Sequence, residues 1–143
     1  MRKPLSGKLE KTFICPTEFT LRVLGGKWKT VILCFLRFRP LRYADLRRLI
    51  PTLSDKVLSQ RLAELVDIGL VSRQTIGKGR AEVYKLSARG ESLSGVLSGL
   101  YRWGDTHAAE FGVNAGRPFK RAGISITPPR LEGTAKKDTA HEA

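Results

Sequence analysis

A repeat of leucines between a proline and a glycine constrains the fold of this chain more than any other feature. Three leucines follow one another at spacings of four and three residues: Leu58, Leu62 and Leu65. This spacing places side chains on one face of an α-helix. Pro51 breaks the chain before the repeat, Ser54 or Asp55 can accept hydrogen bonds from the free amides of a first turn, and Gly69 is a typical helix stop. We therefore expect a helix over residues 54–68 whose leucine face packs on the protein body.

The opposite face of this expected helix is polar. It carries short, amide and basic side chains: Lys56, Ser59, Gln60 and Ala63. Gln60 can bond bidentately to adenine, Ser59 can bond to several bases or to phosphate, and Ala63 is small enough for a close approach. The alternative is an ordinary surface helix with a solvated polar face. On the first interpretation, the DNA-binding residues of this helix, named the reading set from here on, are Ser54, Lys56, Ser59, Gln60 and Arg61.

Prolines and glycines divide the preceding part of the chain into short segments. In order, we expect a helix from Pro16 to the Gly25-Gly26 pair, a buried central helix over 27–37, a very short strand over 41–43 and a short helix over 44–49. Pro40 forbids continuation of the central helix because its ring clashes with the preceding turn. Two helices joined by a tight turn therefore precede residue 69.

A hairpin and a last helix follow. Residues 71–75 and 81–86 are strand-like, and the glycines between them permit the positive φ angles of a hairpin tip. Ser87 is suited to cap one long last helix. Apolar or aromatic side chains recur on one face of that helix: Leu93, Val96, Leu97, Leu100, Trp103 and His107. We expect Trp28 and Trp103 to lie in the core, the alternative being that they stack on an aromatic effector.

The order of these elements is that of a winged helix-turn-helix, mostly α with a small β-hairpin (α+β). In such a domain one helix enters the major groove, and neighbouring elements contact the sugar-phosphate backbone. The basic side chains expected to make backbone and wing contacts are Arg42, Arg47, Lys78 and Arg80. Arg47 and its neighbour Arg48 can equally be solvated surface charges.

The chain is strongly basic, with a net charge of +13 over 143 residues. Lys and Arg outnumber Asp and Glu in a basic N-terminal arm over 1–12, in the expected domain over 13–111 and in a tail over 112–143, which we expect to be disordered. Such an excess repels itself unless an anionic partner neutralises it, so nucleic acid is the natural partner. The longest apolar run, 31–36, is far shorter than a membrane span, and no apolar run follows the basic start. We therefore expect a cytoplasmic protein.

Several sequence blocks stand in a fixed order along the chain. They are Cys15-Pro16-Thr17-Glu18, Leu24-Gly25-Gly26-Lys27-Trp28, Tyr43-Ala44-Asp45-Leu46-Arg47, Leu58-Ser59-Gln60-Arg61-Leu62, Gly69-Leu70-Val71, Tyr84-Lys85-Leu86-Ser87-Ala88-Arg89-Gly90 and Trp103-Gly104. Together they resemble the HxlR-type family of winged-helix regulators, relatives of the MarR group. The resemblance implies a transcription regulator that forms a homodimer through its first and last helices and binds palindromic operators in double-stranded DNA. The family wing is often longer and acidic or proline-rich, whereas the hairpin tip here is short and basic.

Cys15 occupies the position at which several members of that family carry a cysteine that senses oxidants, aldehydes or quinones. Pro16 and Thr17 put it directly before a helix, where the helix dipole lowers the pKa of a thiol. The alternative is a small apolar residue that packs at the dimer interface. Cys34 lies within an apolar run and is expected to be an inert core residue.

Other classes of function receive less support from the sequence. The only soft metal ligands are Cys15, Cys34, His107 and His141, which form no recognisable four-ligand site, and we expect neither metal nor cofactor. An enzyme is not expected, because a Ser-His-Asp set, a phosphate-binding loop and a pair of catalytic carboxylates are all missing. The leading hypothesis is a sequence-specific DNA-binding regulator whose activity is controlled by a small molecule or by thiol chemistry at Cys15. Charge alone also permits a non-sequence-specific nucleic-acid-binding or chromosome-associated protein.

Overall fold

A computed structural model describes residues 12–116. Its elements are helices α1 (Pro16–Leu24) and α2 (Lys29–Leu36), strand β1 (Leu41–Arg42), helices α3 (Tyr43–Leu49) and α4 (Asp55–Asp67), strands β2 (Val71–Ile76) and β3 (Ala81–Leu86), helices α5 (Ala88–Glu91) and α6 (Ser94–His107), and a 3₁₀ turn (Ala108–Phe111). The mostly helical fold with a small antiparallel sheet is confirmed. The basic arm and the tail fall largely on residues 1–11 and 117–143, which lie outside the described residues. None of the helices between residues 12 and 116 is long and apolar enough to cross a membrane.

The three strands form an antiparallel sheet in the order β1-β3-β2. The pairs that put buried side chains on its core face are Leu41 with Tyr84 and Val71 with Leu86. Strands β2 and β3 stay paired as far as Ile76 and Ala81, one residue beyond the expected end of β2. The hairpin tip therefore comprises residues 77–80, and Gly77, with φ of 74°, supplies the positive angle that the tip needs.

Helix α2 lies at the centre of the core and contacts α4, α6 and β3. Leu58, Leu62 and Leu65 of α4 are each at most 1% exposed and belong to the same apolar cluster as α2. The predicted leucine face is thus confirmed. Because burial of a leucine side chain contributes about 1.5–3 kcal/mol, these three contacts hold α4 firmly against the body.

The end of the domain differs from the prediction of one long helix from Ser87. The Ser87 hydroxyl does cap a helix, since it accepts the N–H of Gly90 at 3.1 Å, but this helix is the short α5. The N–H of Leu93 then donates to the carbonyl of Gly90 instead of that of Arg89. The Ser92 hydroxyl donates to the Arg89 carbonyl at 2.5 Å. This side-chain bond and the tighter turn separate α5 from α6.

The prediction that Trp103 belongs to the core is wrong, whereas Trp28 does pack against the core. Trp103 is 60% exposed, because within residues 12–116 α6 is buried only along the side that carries Leu97 and Ser98. Other apolar side chains of α6 are exposed with it, namely Val96 and Leu100. The apolar stripe that the sequence shows is therefore mostly a surface feature of the single chain.

The close approach of α5 to Leu70 generates a stability prediction. A methyl group added at Gly90 would lie 2.1 Å from the carbonyl oxygen of Leu70, a backbone atom that cannot move aside cheaply. We expect Gly90→Ala to lower the free energy of unfolding by about 1–3 kcal/mol, measured by urea denaturation.

Gly95→Ala is the matched control, because nothing lies within 4 Å of a methyl group added there on α6. This variant should raise the free energy of unfolding by about 0.5–1 kcal/mol through helix propensity. Equal effects of the two substitutions would contradict the described packing of α5.

Candidate nucleic-acid interface

The start of α4 is exposed and capped as its sequence predicts. Ser54 has extended backbone angles, and its hydroxyl accepts the N–H of Val57 at 3.2 Å. The remaining free amides and the helix dipole give this end of α4 a partial positive charge, which favours phosphate groups.

The outer face of α4 carries four exposed residues at helical spacing: Lys56, Ser59, Gln60 and Ala63. The side chains of Lys56 and Gln60 make no hydrogen bond or ion pair within residues 12–116. The face therefore offers an ammonium, a hydroxyl, an amide and a methyl group side by side. These are the chemical groups that contact base edges and thymine methyls in a major groove.

Arg61 of the predicted reading set does not share this outer face. Its Nη1 lies 2.7 Å from Oε1 of Glu64, and Oε2 of Glu64 lies 3.1 Å from Nζ of Lys29 on α2. The Lys29 side chain is only 4% exposed. The structure thus places three members of the reading set, Lys56, Ser59 and Gln60, on the outer face and keeps Ser54 as the exposed N-cap of α4. It uses Arg61 in an ion-pair network that joins α4 to α2.

Arg47 braces the turn that leads into α4. Its Nε lies 2.8 Å from Oδ1 of Asp55, and its Nη1 donates to the carbonyl of Leu53. Both partners belong to the same chain, so much of the hydrogen-bonding capacity of this guanidinium is used inside the protein.

Arg42 is exposed on β1, directly before α3. Its backbone N–H donates to Oδ2 of Asp45 at 3.0 Å. That bond, together with the guanidinium of Arg48 beside the same carboxylate, holds the pKa of Asp45 below its ordinary value. Arg48 is therefore an ion-pair partner of Asp45. Arg42 is exposed, and its charge also lowers the pKa of this carboxylate.

Tyr43 is a site residue to which sequence reasoning assigned no role. Its hydroxyl oxygen lies 2.9 Å from Oδ1 of Asp55, 3.1 Å from the Asp55 carbonyl oxygen and 3.2 Å from Oγ of Ser59. These partners are 12 and 16 residues away along the chain. A helical periodicity could not have indicated the contact, because it joins two different helices.

The hairpin tip carries two exposed basic side chains, Lys78 and Arg80. Neither side chain bonds to another residue in the range 12–116. Arg80 itself has φ of 51°, and its N–H donates to the carbonyl of Gly77 at 3.3 Å, which closes the turn. The tip therefore presents two cations to solvent on a short, backbone-bonded loop.

The two cysteines lie in opposite environments. Cys15 is the exposed N-cap residue of α1, and hydrogen bonds from the Thr17 side chain and then the Thr17 backbone lower its pKa. Cys34 is half-buried, and burial raises the pKa of its thiol. Across residues 12–116 there is no cluster of three His, Cys, Asp or Glu side chains that could hold a metal ion.

Comparison with known proteins agrees with this architecture. The model of the HxlR-like helix-turn-helix family matches residues 23–111. The uncharacterized HTH-type transcriptional regulator YtcD of Bacillus subtilis (strain 168) is 41% identical over 99 residues, which are 68% of this chain and 79% of YtcD. A crystal structure of YtcD superimposes with a TM-score of 0.59 over 66% of this chain and 97% of that one.

Two redox-related regulators are also similar in fold. The redox regulator HypR in its reduced form is 31% identical, with a TM-score of 0.61 over 65% of this chain and 93% of HypR. Quinone-bound YodB from B. subtilis is 31% identical, with a TM-score of 0.55 over 64% of this chain and 99% of YodB.

The matched segment holds α2 to α6, and so includes both the outer face of α4 and the basic hairpin tip. The chain belongs to the HxlR-like helix-turn-helix family of winged-helix transcriptional regulators.

Proposed function

We propose that this protein is a sequence-specific regulator that binds double-stranded DNA through the outer face of α4. The observation that carries the proposal is that Lys56, Ser59, Gln60 and Ala63 are exposed together while the leucines behind them are buried. A helix held in this way can enter a major groove with its polar face toward the bases. Arg42, Lys78 and Arg80 then supply contacts to phosphates or to a minor groove beside it. Arg47 contributes by bracing the entry to α4.

A homodimer on a palindromic operator is the second part of the proposal. Exposed apolar side chains occur on both helices that would meet a second copy: Phe19 and Leu21 on α1, and Val96, Leu100 and Trp103 on α6. Contiguous exposed apolar groups are typical of protein interfaces. If a twofold axis relates the α4 helices of the two subunits, the two half-sites that they contact must be inverted copies of each other. Such a pair of half-sites is a palindrome.

Cys15 is the proposed point at which thiol-reactive signals act on this regulator. Its exposure and its lowered pKa favour the thiolate, which is the reactive form. The names of the similar proteins agree with this role, since HypR is a redox regulator and YodB has been captured with a quinone. Because Cys15 lies at the start of α1, a modification there alters one of the two helices proposed to form the dimer.

A non-sequence-specific nucleic-acid-binding or chromosome-associated protein is the alternative, favoured by the net charge of +13. The two functions differ in the ratio of affinities for a selected duplex and for bulk DNA. Selection of wild-type protein on a random duplex library supplies the site. A ratio of about a thousand or more supports the regulator, and a ratio near one supports the alternative.

The role of Gln60 can be tested on that selected site. Gln60→Ala removes the amide that can bond bidentately to adenine, so we expect binding to weaken by about 1–3 kcal/mol and preference to relax at one base position per half-site. Electrophoretic mobility shifts with a set of single-base operator variants measure both effects. Gln74→Ala, the same truncation on β2, should keep the base preference. An unchanged preference profile for Gln60→Ala would remove Gln60 from the reading set.

The hairpin tip can be tested through salt dependence. We expect replacement of Lys78 and Arg80 by Ala together to lower the slope of log affinity against log salt by about 2 per subunit of the bound dimer, because each cation that contacts a phosphate releases counterions. Base preference should stay the same. Replacement of Arg22 and Arg102 on α1 and α6 removes the same charge elsewhere and should leave the slope unchanged. Equal slopes for the wild type and the hairpin variant would show that the tip does not contact phosphate.

The thiol proposal can be tested by the pH dependence of alkylation. Only the thiolate reacts with iodoacetamide, so a lowered pKa makes Cys15 react at lower pH than an ordinary cysteine. Thr17→Val should shift the midpoint of its rate profile to higher pH, because the hydrogen bond from the Thr17 side chain is the largest cause of the lowering. Mass spectrometry of the two cysteine peptides gives the rates, with Cys34 as an internal control whose pKa is raised.

The same cysteine should carry the response of DNA binding to quinones or oxidants. Cys15→Ser should make operator binding insensitive to them, whereas Cys34→Ser should not. Continued sensitivity of Cys15→Ser would make Cys15 a structural residue.

A further inference from the structure

The hydroxyl of Tyr43 connects α3 to the outer face of α4 in a way that fixes the direction of two hydrogen bonds. Three oxygen atoms surround the Tyr43 oxygen: Asp55 Oδ1 at 2.9 Å, the Asp55 carbonyl oxygen at 3.1 Å and Ser59 Oγ at 3.2 Å. The phenol has one proton to donate. Which neighbour receives that proton decides what Ser59 can offer to a partner.

Both Asp55 atoms accept hydrogen bonds and donate none. The carboxylate also faces the guanidinium of Arg47, whose Nε lies 2.8 Å from the same Oδ1. If the phenol proton pointed at Ser59, a lone pair of the Tyr43 oxygen would face two acceptor atoms within 3.1 Å. The phenol therefore donates to Asp55, and the Ser59 hydroxyl donates to the Tyr43 oxygen.

We infer that Ser59 meets DNA only as a hydrogen-bond acceptor, and that Tyr43 is the positioning residue that imposes this polarity. The inference rests on the proposed function, because it requires α4 in a major groove. With its proton committed to Tyr43, Ser59 has only lone pairs left for a partner. Phosphate oxygens are acceptors too, so Ser59 cannot bond to the DNA backbone in this state.

An acceptor in the major groove selects bases by their amino groups. Along one strand, adenine N6 and cytosine N4 donate in the groove, whereas guanine O6 and N7 and thymine O4 accept. Ser59 therefore favours adenine or cytosine and disfavours guanine or thymine at the position that it contacts. A serine without this network would tolerate either class, because its hydroxyl can both donate and accept.

The experiment compares the base preferences of wild type and four variants on single-base variants of the operator that wild type selects. Ser59→Ala identifies the position, which is the one where preference disappears. On one strand at that position, wild type should accept both adenine and cytosine and discriminate against both guanine and thymine. Tyr43→Phe keeps the ring and removes the hydroxyl. It should reduce the preference for adenine or cytosine at that position at least about threefold by admitting guanine or thymine. In the Ser59→Ala background, Tyr43→Phe should change nothing further. Tyr101→Phe on α6 is the matched loss of a phenol hydroxyl and should keep the preference.

The outcomes separate this inference from the function on which it rests. If wild type selects no duplex sequence, the proposed function fails and the inference fails with it. If wild type selects an operator, the inference alone is overturned by any of three results. These are a Ser59-dependent preference that on neither strand separates adenine and cytosine from guanine and thymine, no position affected by Ser59→Ala, or an unchanged preference in a folded Tyr43→Phe variant. Thermal unfolding followed by circular dichroism establishes folding. Should Tyr43→Phe not fold, the pattern of accepted bases at the Ser59 position of the wild-type operator decides.

Discussion

The rotation of α4 about its own axis decides which chemical groups this domain presents. Its buried leucines fix one face, and the ion pair between Lys29 and Glu64, 3.1 Å long, fixes the same rotation from α2. Because the Lys29 side chain is 4% exposed, a helix rotation that removed Glu64 would leave a buried charge without a partner, at a cost of about 3–5 kcal/mol. Successive residues of a helix are about 100° apart. A slip of one residue would therefore bury Ser59 in place of Leu58.

Local sequence rules account for most of this arrangement, which is why the fold could be predicted. The leucine period, the Ser54 cap and the stop at Gly69, whose φ is 77°, all act within one helix. The hairpin could be predicted in the same way, because the positive φ angle at Gly77 depends only on a few neighbouring residues. The exposed outer face of α4 follows from the spacing of the leucines, because burial of the leucine face leaves the opposite face of the helix exposed.

Contacts between distant parts of the chain account for what the sequence did not indicate. The charge partner of Glu64 is Lys29 on a different helix, α2. The partners of the Tyr43 hydroxyl likewise lie on another helix, α4. The separation of α5 from α6 accompanies the approach of Gly90 to the backbone of Leu70, which no local pattern contains. The exposure of Trp103 likewise depends on tertiary packing, since within residues 12–116 α6 is buried on the side that carries Leu97 and Ser98. The types of the side chains and their spacing along the chain predict which residues share a face of a helix. They do not predict which neighbouring element covers that face.

The internal pairing of two arginines has a consequence for selectivity. Arg47 and Arg61 are next to or within α4, and both bond to carboxylates of the same chain. Long basic side chains left free beside Ser59 and Gln60 would contact phosphates of any sequence, which adds affinity without discrimination. With those two guanidinium groups engaged, the outer face keeps one cation, Lys56, among the neutral side chains of Ser59, Gln60 and Ala63. Under the proposed function, charge at the hairpin tip supplies attraction to DNA from a separate element, and affinity and base selection then depend on different residues.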